Sequence, residues 1–421
     1  MSFIVLLLYI SSSFLHLTAR IPVLGSLRFD LLLGVGTLLI IFVQQRQDTL
    51  RLGEETARRL NGLILYIILS LPLVTWPGSV IQNNLTEWIK VALFYVLVVG
   101  AVRTEKQLRL FIWVFLFCQV FRVLEPLYLH ITAGYWGSVA FSHTDGVMTG
   151  LKRLSGAPSD VVNPNQLAWV IVSTIPFLFY LLWQKGSWGK ILFVALLIPS
   201  AQALLLTGSR SGLLSLGAVI FAMVLLSKNI RRNLIITVVL VLPLAVLLMG
   251  QLGSDMQTRY LSLIDSTVAG ADTRQGRING MIRQLGTISN NPLFGNGLGT
   301  TREANWNILG HSSQITHNLY IEVLQSIGII GFSLFILYIV AIVRCLRQAQ
   351  KLLLIKGYDS NDWLIRLSSA ILAWVFMDLF YSISCFGLIS WEWYFFGGTA
   401  TVCHALAQER EVMLNAEPQC T

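Results

Sequence analysis

The residues best equipped for chemistry lie in a polar stretch from 251 to 317, set between apolar runs long enough to cross a bilayer. It carries Arg259, Arg274, Arg277, Arg283 and Arg302 and runs through His317 into HNLYIEVLQSIGIIG. Guanidinium groups grip anionic oxygens as planar donor forks and stay charged. An imidazole, with a reference pKa of about 6.5, can take a proton near neutrality. His317, followed by Asn318, is therefore the candidate general base, weighed against a purely structural interfacial histidine; His311 is the less favoured choice. The combination marks a reaction site rather than a tether.

Other stretches add to it. In TGSRSG, Gly208 and Gly212 bracket Ser209, Arg210 and Ser211 where one apolar run ends and another begins. Helix N-terminal amides, two hydroxyls and a guanidinium can converge there on a phosphate. A tight hairpin with a headgroup-facing arginine is the competing account. Within the polar stretch, Ile278, Met281, Ile282, Leu285 and Ile288 recur at helical spacing and predict an amphipathic helix on the bundle or in the interface. Arg274 and Arg277 share one side of it, with Arg283 nearby, as an anion-binding or headgroup-binding set. A shorter amphipathic segment is expected around Met256, Tyr260 and Ile264. Arg153 opens RLSGAPSDVVNPNQLAW, whose Asn163-Pro164-Asn165 forms a turn into the next helix. Arg122, Glu125 and Asp378 fall within apolar runs, where ionisable groups are costly and become candidates by default. An Arg122–Glu125 ion pair that only braces the bundle explains the first two equally well.

The elements that must position these groups are membrane helices. With 55% hydrophobic and 12% charged residues among 421 and a mean hydropathy of +0.68, the chain is an integral membrane protein. Apolar windows at 3–17, 25–43, 61–77, 88–102, 108–130, 165–183, 188–206, 211–227, 233–250, 318–343, 363–385 and 388–407 predict about twelve spans. The fold class expected is an all-α polytopic membrane protein, one domain over 1–421, with a large, partly helical outer loop at 251–317. The first window lacks a basic leader and a cleavage site and is expected to be retained as a span.

The net charge of +9 raises the possibility of nucleic acid, but most basic residues sit in short connections, where the positive-inside rule places them. That pattern puts both termini in the cytoplasm and the loops 131–164 and 251–317 outside. Cys118, Cys345, Cys385, Cys403 and Cys420 are odd in number and scattered, indicating neither a disulfide framework nor a metal-thiolate site. GNGLG at 295–299 has no strand before it and is no nucleotide fingerprint. The absence of HExxH and of clustered acidic phosphate-metal motifs favours a reaction without metal or other cofactor. A lipid or ion transporter would show internal repeats and interrupted helices; neither is expected here.

Taken together, RLSG and NPNQLA at 153–168, TGSRSG at 207–212, GRINGMIRQLGTISNNPLFGNGLG at 276–299 and THNLYIEVLQSIGIIGF at 316–332 resemble the O-antigen ligase and polymerase superfamily. The resemblance covers about 150–345 in motif detail. It implies a C-type glycosyltransferase of the bacterial inner membrane, working on the periplasmic face with glycan linked to undecaprenyl pyrophosphate. It implies His317, Arg210 and Arg277 as catalytic, and lipid A core oligosaccharide as acceptor for a ligase; a polymerase would join repeat units on the carrier. Arg153, Arg122, Arg274, Arg283, Ser209, Ser211, Asn165 and Asn318 are the expected substrate-binding set. Gly280 departs from relatives, which often have an aromatic residue shortly after the Arg277 position.

Overall fold

A computed structural model describes residues 1–44, 54–144, 147–160, 162–232, 234–235, 250, 253–263, 271–310, 317–385 and 387–416. Most of the window 233–250, Ile264, His311 and the side chains of Arg274 and Arg277 lie outside the described residues. The principal helices are α1 (Ser2–Phe14), α2 (Phe29–Val43), α3 (Glu55–Leu69), α4 (Leu85–Ala101), α5 (Glu105–Ala133), α6 (Pro164–Leu182), α7 (Gly186–Leu206), α8 (Arg210–Leu225), α9 (Ser254–Leu261), α10 (Ala271–Ile288), α11 (Thr301–Leu309), α12 (Leu319–Ile355), α13 (Trp363–Tyr381) and α14 (Glu392–Ala416). Each apolar window other than 233–250 coincides with one of them.

The chain is thus a polytopic helical membrane protein, but twelve full spans are not established. Among the described residues six helices are long and apolar enough to cross: Pro77–Ala101, α5, α6, α7, α12 and α13. The apolar helices α1, α2 and α8 are shorter than a full span. The core is aromatic, with Phe115 4.8 Å from Phe395 and Trp374 4.6 Å from Phe396, ring centroid to centroid. Such tilted and edge-on pairs add to what burial alone supplies.

The expectation of an all-helical chain needs correcting. β1 (Gly137–Thr144) and β2 (Val147–Leu154) form an antiparallel hairpin that pairs Ser138 with Arg153. The overlooked signal is Asp145-Gly146 between runs of alternating apolar residues, the strongest short-range hairpin signature.

A second correction concerns α12, which is interrupted where an unbroken span was expected. Gly328 sits at φ 66°, ψ −175°, a region open essentially only to glycine. The break frees the carbonyls of Gln325, Ser326 and Ile327, and each finds a donor. Asn296 N–H reaches Gln325 O at 2.7 Å, Gly297 N–H reaches Ser326 O at 3.0 Å, and the Tyr66 hydroxyl reaches Ile327 O at 2.8 Å. In return the Ile329 N–H donates to Pro292 O at 2.9 Å. The loop 291–299 is therefore built into the helix, and protein groups satisfy the carbonyls that the interruption frees.

Within 251–317 the described residues include the helices α9, α10 and α11, though α10 does not pack as a core helix would. Gln284 and Thr287 are buried while Ile278, Ile282 and Leu285 are exposed. A helix that turns its polar positions to the protein and its apolar ones outward suits a place in the membrane interface. A side chain added at Gly280 would meet open space, so the aromatic residue of relatives is not needed for contact within this chain.

Candidate active site

Helix starts converge at one end of the bundle. Asn163 caps α6, accepting from the N–H groups of Asn165 at 2.9 Å and Gln166 at 3.0 Å. Ser209 caps α8 through Gly212 N–H at 3.1 Å, and Asn318 caps α12 through Ile321 N–H at 3.0 Å. These three starts, with that of α11, surround a cavity of about 380 Å³ whose lining includes Asn165, Ser211, Arg302, His317 and Glu322. The partial positive charge of four helix N-termini and the Arg302 guanidinium make its outer part favourable to an anion.

His317 is exposed at this rim. Ser211 lines the same cavity, so Arg210, next to it in the chain, belongs to the same end. The Arg210 guanidinium donates to Ser262 Oγ at 2.9 Å, tying it to the turn after α9. Arg277 lies on α10 with its side chain outside the described residues, and Arg283 lies on the same helix, one-sided and exposed.

Other expected ligands hold the scaffold. Arg153 is buried and donates to Thr207 O at 2.7 Å and Asn165 Oδ1 at 2.8 Å, while Arg259 donates to Gly208 O at 2.7 Å. Both guanidinium groups thus address carbonyls where α7 ends, a favourable place for positive charge. Tyr260 donates to Leu205 O at 3.0 Å, and burial pushes its hydroxyl up to about 12, so it remains a neutral donor. In this way α9 clamps the turn that carries Arg210.

Arg122 does not pair with Glu125. It makes a two-pronged contact with Asp160, at 2.8 and 3.0 Å, and Glu125 is held by Arg20. The spacing on α5 was compatible with a local pair, but tertiary partners displaced it. His16 Nε2 also lies 3.3 Å from Asp160. Burial pushes the Asp160 carboxyl up, but hydrogen bonds and charge from His16 and Arg122 outweigh this and hold it below the usual carboxylate range. A carboxylate held low stabilises the fold above its unfolded pKa of about 3.9 and loses that contribution as pH falls through the folded value. Asp160→Asn should therefore cost about 3–5 kcal/mol at neutral pH by stranding Arg122, and the deficit relative to wild type should shrink in strong acid. Thermal denaturation of the two proteins across pH measures this; equal midpoints at neutrality would refute it.

Below the outer cavity lies a second chamber of about 160 Å³, sharing Gln166, Tyr381, Cys385, Gly387 and Ser390 with it and lined also by Asp378, Glu392 and Arg122. Asp378 accepts from Trp169 Nε1 at 2.7 Å, and Glu322 accepts from Gly387 N–H at 2.6 Å. Glu322 and Glu392 were missed in the sequence. Both are acids at the start of an apolar helix, which could have flagged them. Among the described residues one group has donor atoms suited to a metal: Glu54, Cys345 and His404, within 4.8 Å of one another and away from the cavity.

Residues 192–336 match the family described as O-antigen ligase. The match supports the O-antigen ligase superfamily. It begins in α7, takes in Arg210, Arg277 and His317, and ends just past the break in α12. The match covers about a third of the chain and suggests an activity of the ligase or polymerase type. No curated protein matches the chain.

Proposed function

We propose that the chain is an O-antigen ligase that moves glycan from undecaprenyl pyrophosphate to a sugar of the lipid A core, on the periplasmic face of the inner membrane with both termini cytoplasmic. The observation that carries this reading is the cavity in which four helix starts, Arg302 and His317 meet beside Arg210. A diphosphate is the ligand such a positive, oxygen-seeking rim would bind best.

The chemistry is a single displacement. An acceptor hydroxyl attacks the anomeric carbon while the bond from that carbon to the phosphate oxygen breaks, and the electron pair departs on the diphosphate. His317 takes the hydroxyl proton. Arg210 and Arg277, with Arg302, stabilise charge growing on the leaving diphosphate, and inversion at the anomeric carbon results. Asn165, Ser211 and Asn318 lie beside this path, and the acids of the inner chamber can accept hydrogen bonds from sugar hydroxyls. The apolar helices hold the polyprenyl tail.

Purified protein given carrier-linked glycan and lipid A core should yield the joined product. With carrier-linked glycan alone it should yield no longer chains. Chain growth in the second reaction would identify a polymerase, and no covalent product in either would end the proposal.

A further inference from the structure

At the opposite end of the bundle a concavity of about 910 Å³ lies between the last turns of α6 and α8, the last third of α12 and the first turns of α13. One wall is apolar and aromatic, with Tyr180, Trp183 and Met223. The polar side holds Arg366 with Lys228 and Arg347, and no carboxylate lines it among the described residues. Lys228 and Arg347 are exposed at the rim, whereas Nε and Nη1 of Arg366 are buried without a hydrogen-bond partner. The neighbouring Asp362 is already engaged, accepting from Leu364 N–H at 2.9 Å and from Arg410 at 3.1 Å.

Arg366 is half-buried in the cavity wall, with two of its guanidinium nitrogens shut off from water and unpaired, an arrangement that is unfavourable unless an anion beside it offsets the charge. We propose that this pocket binds the phosphate headgroup of an anionic membrane phospholipid, with Arg366 as the interior contact, Lys228 and Arg347 at the rim and an acyl chain against the aromatic wall. The apolar wall and the position at a bundle end favour a lipid over a soluble anion. The positive-inside pattern expected from the sequence puts this end at the cytoplasmic leaflet, where anionic lipids attract basic pockets between helices. The inference is independent of the transfer reaction.

The full chain, delipidated in detergent, is titrated with phosphatidylglycerol, with phosphatidylethanolamine of the same acyl chains, and with inorganic phosphate. Thermal midpoint and lipid retained in native mass spectrometry are read together. Phosphatidylglycerol should remain bound and raise the midpoint, and the other two should not. Arg366→Gln should weaken phosphatidylglycerol roughly tenfold or more, as expected for losing a charge-assisted contact. Its lipid-free midpoint should equal or exceed wild type, because an unpaired buried charge has been removed. A lower lipid-free midpoint would show Arg366 to be a structural partner within the protein and overturn the proposal. So would undiminished lipid binding by Arg366→Gln, or an equal shift with inorganic phosphate.

Discussion

His317→Ala is expected to abolish glycan transfer while the protein accumulates in the membrane at its normal level. Its side chain is exposed at the cavity rim, so truncation removes little packing. What it removes is the proposed proton acceptor, a loss of about 100-fold or more when a general base is deleted. Arg210→Ala should act similarly, by about 100- to 1,000-fold, because charge on the departing diphosphate loses a fixed donor. Arg210 has a structural tie to Ser262, so Ser262→Ala is the matched control: it removes that contact, at 2.9 Å, and leaves the guanidinium. Transfer rates are measured beside membrane abundance. Full activity in either substituted enzyme would strike that residue from the mechanism.

Gly328→Ala should be severely damaging. A Cβ there would stand 2.2 Å from the Leu293 carbonyl oxygen, and that neighbour is backbone that cannot rotate away. Alanine is also excluded from this backbone conformation, at about 1–3 kcal/mol before any clash. Straightening the helix instead would break the contacts of Asn296, Gly297 and Tyr66 with the carbonyls around the break. Gln325, Ser326 and Ile327 are buried, so water does not readily replace the lost partners. Gly295→Ala tests the same joint from the other side, since its Cβ would fall 2.6 Å from Gly328 N. Both variants should show a sharply lower thermal midpoint or fail to accumulate, and a stable, active Gly328→Ala protein would show that the break is not needed.

The helices were legible because burial in lipid imposes one simple pattern. About twenty apolar residues make a span whatever surrounds them, and α5, α6 and α13 fall where their windows predicted. The turn at Asn163 was legible for a local reason too, since a side-chain oxygen satisfies amides only two or three residues away. The hairpin at 137–154 carried its signal in Asp145-Gly146, but expecting only helices hid it.

Partners distant in sequence were not legible. Arg122 could be placed near Glu125 by helix spacing, yet its carboxylate partner is Asp160, from a connection whose path the spacing does not encode. The kink at Gly328 had no mark of its own, because glycine is common in membrane helices and only the docking of 291–299 makes its conformation obligatory. That Arg153 and Arg259 reach the carbonyls at 207 and 208 was likewise not legible, because those partners lie about fifty residues away in the sequence.

By itself, then, the sequence determined that this is a helical membrane protein with arginines, serines and a histidine gathered in its polar connections, because hydropathy, helix period and capping act over a few turns. Only the tertiary structure decided which of those groups share a cavity and which brace the scaffold. That choice depends on helix ends brought together across hundreds of residues, and no local rule of spacing reaches so far.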